Sequence, residues 1–345
     1  MSVSPFRNKY PKSGKTLEAV YTNRRSVSEL DPAHILGLVN YSAPLEPDTQ
    51  HADIRTSLRI SLPSLSESNN IEVWISGDPV KTAQMGNLHY RHTEELMFGT
   101  LEMSESDYSS ISDCSHSAYT EIINAIQELG YRHLLRMWNY FPDINKDSDG
   151  LERYRAFTVG RHQALSVIPD FERYLPSASA VGTQENGFQI VFLAATKPGI
   201  QVENPRQISA FHYPETYGPK SPSFARATLK HWPEGKHSQL FISGTASIVG
   251  HETLYPESTS KQTEEIINNI NSLIENVRDS HQLNVNNIAD ISFLKVYIRY
   301  PKDINDVKKV LKLHLKPSQP IMFLQGDICR RELLVEIEGV IDIQR

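Results

Sequence analysis

The chain has 345 residues, 39% hydrophobic and 22% charged, and a formal net charge of −6 at pH 7. That length predicts two domains rather than one, and the acidic balance argues against general nucleic-acid binding. Its two cysteines, Cys114 and Cys329, are too few for a disulfide scaffold, no apolar run approaches a membrane span, and Met1 to Arg7 contain no apolar signal region. The expectation is a cytoplasmic protein with reduced thiols and neither a membrane nor a nucleic acid as partner. Any anionic small-molecule substrate must then be held by local arginines, against the overall charge.

Residues 1 to about 30 are polar and basic, without clear periodicity. From Ile35 to about Asp78 the pattern is β-rich: Ile35–Leu38 is a short apolar run and Ile71–Ile75 alternates. Ser64–Asn70 is polar and predicts a loop. Leu96–Leu101 predicts a strand and Ser104–Ser117 a loop. A helix is expected over Ala118–Gly130, with Tyr119, Ile122, Ile123, Ile126 and Leu129 on one stripe. Leu135–Phe141 predicts a strand closed by Pro142.

The second half repeats this order. Leu240–Thr245 predicts a strand, and Thr259-x-x-Gln262 has the form of a capping box. It opens a helix carrying Ile266, Ile267, Ile270, Leu273, Ile274 and Val277. Phe293–Tyr300 predicts a strand stopped by Pro301, Asp303–Leu315 a short helix, and Leu333–Ile341 the last strand. Residues match as well as elements. Gly99-Thr100 answers Gly244-Thr245, Glu121–Ile126 answers Glu265–Ile270, and Phe141–Asn145 answers Tyr300–Asn305. Pro176 and Gly182 answer Pro320 and Gly326, and Ile190–Ala195 answers Leu334–Gly339. The expected fold class is α+β: two units, each a mixed sheet with helices on one face, spanning residues 1–200 and 201–345.

The last strand is the informative one. Glu336 and Glu338 are two apart, so they share a face of an otherwise apolar strand. One reading is an edge strand with a wet face. The other is a site, because in the duplication Glu336 answers Phe192 and Glu338 answers Ala194. One copy carries an acid where the other carries a phenyl ring, as expected of a duplicated unit with one surviving site.

Ser243-Gly244-Thr245, Tyr300–Asp306 and Val335–Glu338 make the second half resemble the RidA/YjgF family, which implies one α+β unit per copy and imine hydrolysis. In that family an arginine just before the glutamate grips the substrate carboxylate; here Pro320–Gln325 contain none. Nearly the whole chain resembles the chorismatases, which share that fold. The stretches that carry the match are Arg153–His162, Leu175–Thr183, Val202–Gln207, Phe211–Pro219 and Ser223–Ala227. The resemblance implies removal of pyruvate from chorismate, without a cofactor, giving 3-hydroxybenzoate, in some cases with 4-hydroxybenzoate. Its hydrolytic branch gives 3,4-dihydroxycyclohexa-1,5-diene carboxylate. The rivals are an imine deaminase, disfavoured by the missing arginine, and a non-catalytic metabolite-binding protein.

Two substrate carboxylates call for fixed arginines. Arg161 follows Gly160, a bend that would turn it into a cleft, and Arg226 follows a proline-rich loop; Tyr154 and Tyr213 would supply hydroxyl donors. Arg155 alternates off the Tyr154 face. Cleaving an enol ether needs a proton on its methylene carbon, and a carboxyl on an apolar strand has its pKa raised by desolvation. The resemblance makes Glu336 that catalytic acid. It also pairs Cys329 with Gly244 as the mark of the 3-hydroxybenzoate branch, since the hydrolytic branch carries alanine at both places. His89, His92 and His116 lack metal-ligand spacing, and no phosphate-binding glycine loop is present. The oligomeric state is left as monomer or homo-trimer.

Overall fold

The alternating and striped segments assemble into three large sheets, beside two two-stranded ribbons, in the computed structural model, which describes residues 15–41, 57–66, 71–148, 150–185, 187–232 and 237–344. The first sheet has four strands, β1 (Leu17–Thr22), β2 (Ile35–Tyr41), β3 (Ser57–Ile60) and β4 (Ile71–Ser76), in the order β1-β4-β2-β3.

The second has six: β5 (Lys81–Met85), β6 (Leu88–His92), β7 (Leu96–Met103), β8 (His133–Pro142), β9 (Ser177–Thr183) and β10 (Phe188–Ala195). Helix α1 (Ile111–Glu128) joins β7 to β8, and α2 (Arg153–Leu165) joins β8 to β9. The third repeats it strand for strand: β11 (Ile200–Val202), β12 (Ala227–His231), β13 (His237–Ala246), α3 (Thr259–His281), β14 (Phe293–Ile298), α4 (Ile304–His314), β15 (Ile321–Gln325) and β16 (Val335–Gln344). The orders are β5-β6-β7-β10-β8-β9 and β11-β12-β13-β16-β14-β15. In each, only the last pair, β8 with β9 or β14 with β15, is parallel. The fold is therefore α+β, with two repeated units.

The four-stranded sheet extends the pattern. Its order and directions, antiparallel, antiparallel, parallel, are those of the last four strands of each unit. All three sheets turn one face to a shared core, where Trp74 packs on Trp138, Phe241 and Phe293 with ring centroids 5.8, 6.3 and 5.9 Å apart. The helices cover the outer faces of the six-stranded sheets. Among the described residues no helix is long and apolar enough to cross a membrane.

Several expectations need correction. The strand carrying Glu336 is not an edge: β16 lies between β13 and β14, and both glutamates are buried. Helix α1 starts at Ile111, inside the predicted loop. Ser110 caps it, accepting from the Asp113 backbone N–H at 3.1 Å, and Ile111, Cys114 and Ser115 are buried by it. Ser258, not Thr259, caps α3. Gln262 instead ties α3 to the approach of β16, donating to Glu332 O and accepting from Leu334 N, each at 2.8 Å.

Gly160 makes no bend. It lies inside α2, where a Cβ would stand 1.9 Å from the Ser112 carbonyl oxygen of α1, so the glycine serves helix–helix approach.

The residue match of Glu336 with Phe192 also slips. Phe192 faces the helices of its unit, whereas Glu336 stands opposite Tyr297, an inner-core residue. With Pro142 matched to Pro301, Trp138 matches Tyr297, and the residue opposite Trp138 is Val191. A one-residue slip exchanges the two faces of a strand, and both units carry register shifts in this region, at Leu193/Ala194 and between Ile242 and Thr245. The contrast remains acid against apolar, now Glu336 against Val191.

Candidate active site

The two units meet where β9 of the first runs beside β13 of the second. Ser243 pins the junction: its hydroxyl donates to Ala225 O at 2.6 Å and accepts from Ala178 N at 2.8 Å. Above it opens a cleft of about 460 Å³. Glu336, Cys329, Tyr154, Arg161, Tyr213, Arg226 and Gly244 all line it. Tyr154 and Arg161 come from the first unit and the other five from the second, so neither half forms the cleft alone.

Helix geometry explains the first unit's share. Tyr154, Thr158 and Arg161 sit at i, i+4 and i+7 of α2, one stripe of the helix, and all three line the cleft. The strand-like alternation assigned to this stretch missed that spacing. Arg155 also lines the cleft, against the expectation that it points away.

Arg161 is buried with its guanidinium 5.0 Å from the Tyr119 ring centroid, and its Nε and Nη2 find no hydrogen-bond partner. Arg226 is buried too. Its Nη2 donates to Ile208 O and to the Tyr213 hydroxyl, both at 2.8 Å, while its Nε is unpartnered. Tyr213 is thereby held between Arg226 and Arg330, whose guanidiniums lie 5.6 and 5.5 Å from its ring centroid. Arg330 also stacks on Tyr217 at 4.0 Å. Buried N–H groups without partners are costly, and here they line a cavity sized for a small ligand.

Glu336 supplies the opposite chemistry. Its Oε1 is buried and has no partner. Burial, and then the negative charge of Glu338, push its carboxyl up to about 8, while Arg136 pulls the other way. At neutral pH it is a protonated acid in a cleft with cationic walls. Gly244 makes room for it: a Cβ there would stand 2.1 Å from Glu336 Oε1 and 2.9 Å from Ser179 Oγ. The Cys329 thiol is pushed up to about 12, by burial and by Glu336, so at neutral pH it is a thiol and not a thiolate nucleophile. Burial also raises the Tyr154 phenol well above its ordinary value, with Cys329 adding to the effect, so it remains a donor.

Sequence reasoning missed the groups behind Glu336. Ser179, on β9, donates to Glu338 Oε2 at 2.5 Å and accepts from Arg136 Nη2 at 2.6 Å and from Gly244 N at 3.0 Å. Glu338, to which the sequence assigned no role, receives Trp138 Nε1 at 2.6 Å, Arg136 Nη2 at 2.8 Å and Lys295 Nζ at 3.0 Å. Burial would raise its carboxyl, but Lys295 and Arg136 hold it down at about 2. The Glu-x-Glu spacing was visible; of the cations that separate the two acids, Lys295 comes from the neighbouring strand β14 and Arg136 from another sheet.

Comparison with known proteins follows the same lines. The family model for the N-terminal part of FkbO/Hyg5-like chorismatases matches residues 72–194. A 3-hydroxybenzoate synthase of Streptomyces hygroscopicus is 33% identical over 316 residues, 89% of this chain and 92% of that protein. A chorismatase of the same organism is 35% identical over 319 residues, covering 89% of each. A chorismatase crystal structure superposes with a TM-score of 0.86 at 34% identity, covering 94% of this chain and 98% of the other.

Proposed function

The chain belongs to the chorismatase family, and from that premise we propose that it removes pyruvate from chorismate with Glu336 as general acid and 3-hydroxybenzoate as main product. The observation that carries this reading is the protonated, unpartnered Glu336 carboxyl in a cleft that also holds unpartnered buried N–H groups of Arg161 and Arg226.

Chorismate brings two carboxylates, an enol ether and a ring hydroxyl. Arg161 and Arg226 receive the carboxylates, and the Tyr154 and Tyr213 hydroxyls orient the substrate. Glu336 gives its proton to the methylene carbon of the enol ether, and an oxocarbenium ion forms that is stabilised as Glu336 becomes an anion. Capture of that ion by the ring hydroxyl oxygen or by a water, followed by loss of the ether bond, releases the three-carbon fragment as pyruvate with the captured oxygen as its carbonyl oxygen. In the aromatising route the ring hydroxyl oxygen leaves the ring as the fragment's new carbonyl oxygen or as water, and Glu336 takes back a ring proton. Chorismate is then converted to hydroxybenzoate and pyruvate with no net water. The hydrolytic route consumes one water and leaves the non-aromatic diol.

Cys329 and Gly244 act on product choice through shape, the thiol as a compact neutral wall and the glycine by freeing the Glu336 carboxyl. Gly244→Ala places a methyl group where that carboxyl now lies. The groups it meets are ends of side chains, so the fold persists and Glu336 turns. The expected result is slower turnover with a larger share of diol, read by chromatography of the ring products. An unchanged rate and ratio would remove Gly244 from the account. Imine deamination is disfavoured because β15 offers Met322 and Leu324 to the inner core and no arginine. A protein acting at the cleft alone has no need of a partner subunit, and the three sheets close their inner core within one chain, which favours a monomer. Release of pyruvate from chorismate by the purified protein tests the reading as a whole.

A further inference from the structure

Behind the cleft lies a buried ionic set drawn from all three sheets. Lys295 Nζ of β14 bridges Glu72 Oε2 of β4 at 2.7 Å and Glu338 Oε1 of β16 at 3.0 Å. Arg136 of β8 closes on Glu338 Oε2 at 2.8 Å. Glu72 also accepts from Tyr41 OH at 3.0 Å and Trp74 Nε1 at 2.8 Å. All four charged side chains are less than 5% exposed. Every contact to the two glutamates comes from a cation or from an N–H or O–H donor, the surroundings of a carboxylate. Two cations then stand against two anions. A third buried carboxyl beside them has no cation of this set left to pair with, and burying an unpaired charge is far more costly than keeping the group neutral.

We propose that Glu72, Lys295 and Glu338 are positioning residues for catalysis: they close a neutral ionic set that leaves Glu336 as the buried carboxyl that must carry a proton. The four-stranded sheet puts no residue among those lining the cleft, yet through Glu72 it supplies one of the two negative charges. Glu338 acts directly, through its charge, and by holding Ser179 against the backbone of Gly244.

The groups facing Glu336 are few. Glu338 shares its strand, Tyr297 and Lys295 stand on β14, and Arg136 on β8. Tyr154 and Arg161 reach the cleft from α2, and Cys329 from the loop before β16. Ser179 and Gly244, which flank it, carry no charge. Only Glu338 among the ionised groups of this set disfavours a negative Glu336 at close range. Loss of either glutamate's charge leaves a positive excess that favours the Glu336 anion.

This inference rests on the reading of Glu336 as the acid, and the test keeps the two apart. The variants are Glu338→Gln and Glu72→Gln, each checked for folding by circular dichroism. Pyruvate release is followed from pH 5 to pH 10, and the infrared band of the protonated Glu336 carboxyl, identified by its absence in Glu336→Gln, is followed in the substrate-free protein. A neighbouring charge moves a carboxyl by about 1–3 pH units. Glu338→Gln should therefore move the alkaline fall of kcat down by about a unit or more, costing about threefold or more at pH 7.5 with recovery near pH 6, and the band should vanish at correspondingly lower pH. Glu72→Gln should shift both in the same direction by less. A parent protein without the band at neutral pH contradicts the acid reading itself. A band present in the parent and unmoved in the folded variants overturns this inference alone. A uniform loss of rate at every pH gives both residues a merely structural role and overturns it too. If Glu338→Gln does not fold, Glu72→Gln decides.

Discussion

Glu336→Gln lowers pyruvate release by about 10²–10⁴-fold, the range that general acids contribute, and leaves KM for chorismate little changed. The amide keeps the volume of the side chain but has no acidic proton for the methylene carbon. The cleft's arginines and tyrosines are untouched, so binding survives. The same substitution has a second signature. The Glu336 carboxyl lies at about 8 in the fold, against 4.5 for an ordinary glutamate. Stability contributed by a group raised in this way is whole below about pH 4.5 and is lost as pH rises through about 8. Each unit is worth about 1.4 kcal/mol, so the parent protein gives up a few kcal/mol on going to pH 9. Glutamine cannot ionise. The variant should melt at a higher temperature than the parent at pH 9, with the gap closing by pH 5. Equal melting temperatures at pH 9 would mean that Glu336 ionises without penalty and is no neutral acid. Activity in the parent should fall with the same transition, as pH rises through about 8.

Arg161→Ala raises KM by about 10–100-fold with a smaller effect on kcat. A hydrogen bond from a charged donor to a buried carboxylate is worth about 1.5–3 kcal/mol, and the loss falls on binding if the contact is made in substrate and transition state alike. Arg161 suits this test better than Arg226. Its Nε and Nη2 have no partner in the fold, so the substitution breaks no internal hydrogen bond at those atoms and relieves a buried unpaired charge. Thermal stability should be equal to or above that of the parent. Arg226→Ala also frees Ile208 O and the Tyr213 hydroxyl, and its effect on kcat should be larger because Tyr213 loses its anchor. An unchanged KM in Arg161→Ala would remove it from the substrate-binding set.

The duplication was legible because each unit writes its helices in 3.6-residue stripes and its strands in apolar runs, in the same order. Those strong periodic segments survive local noise. The third, helix-poor repeat of the strand order, β1 to β4, was not legible, since its likeness lies in pairing directions that no residue records. Glu336 stood out because an acid on an apolar strand contradicts its surroundings. Its exact counterpart was misplaced by one residue, because bulges shift register without leaving a mark in composition. Tyr154 and Arg161 were found through resemblance, although their i, i+7 spacing on α2 was readable once a helix was assumed. The resemblance did not extend to Arg136, Lys295 and Glu72. Each is an ordinary charged residue in sequence; Lys295 meets Glu338 across the β14–β16 pair, and the packing of the other two sheets brings Arg136 and Glu72 beside them. Cys329 was singled out with Gly244 as the mark of the product branch; its burial beside Glu336 favours a neutral wall.

The central claim is the reaction, and its most direct measurement is incubation of the purified protein with chorismate, with pyruvate measured and the ring product identified by chromatography. Pyruvate with an equal amount of 3-hydroxybenzoate is the predicted result. Pyruvate with the non-aromatic diol would keep the acid and overturn the assigned product. No pyruvate from a folded protein would contradict the account.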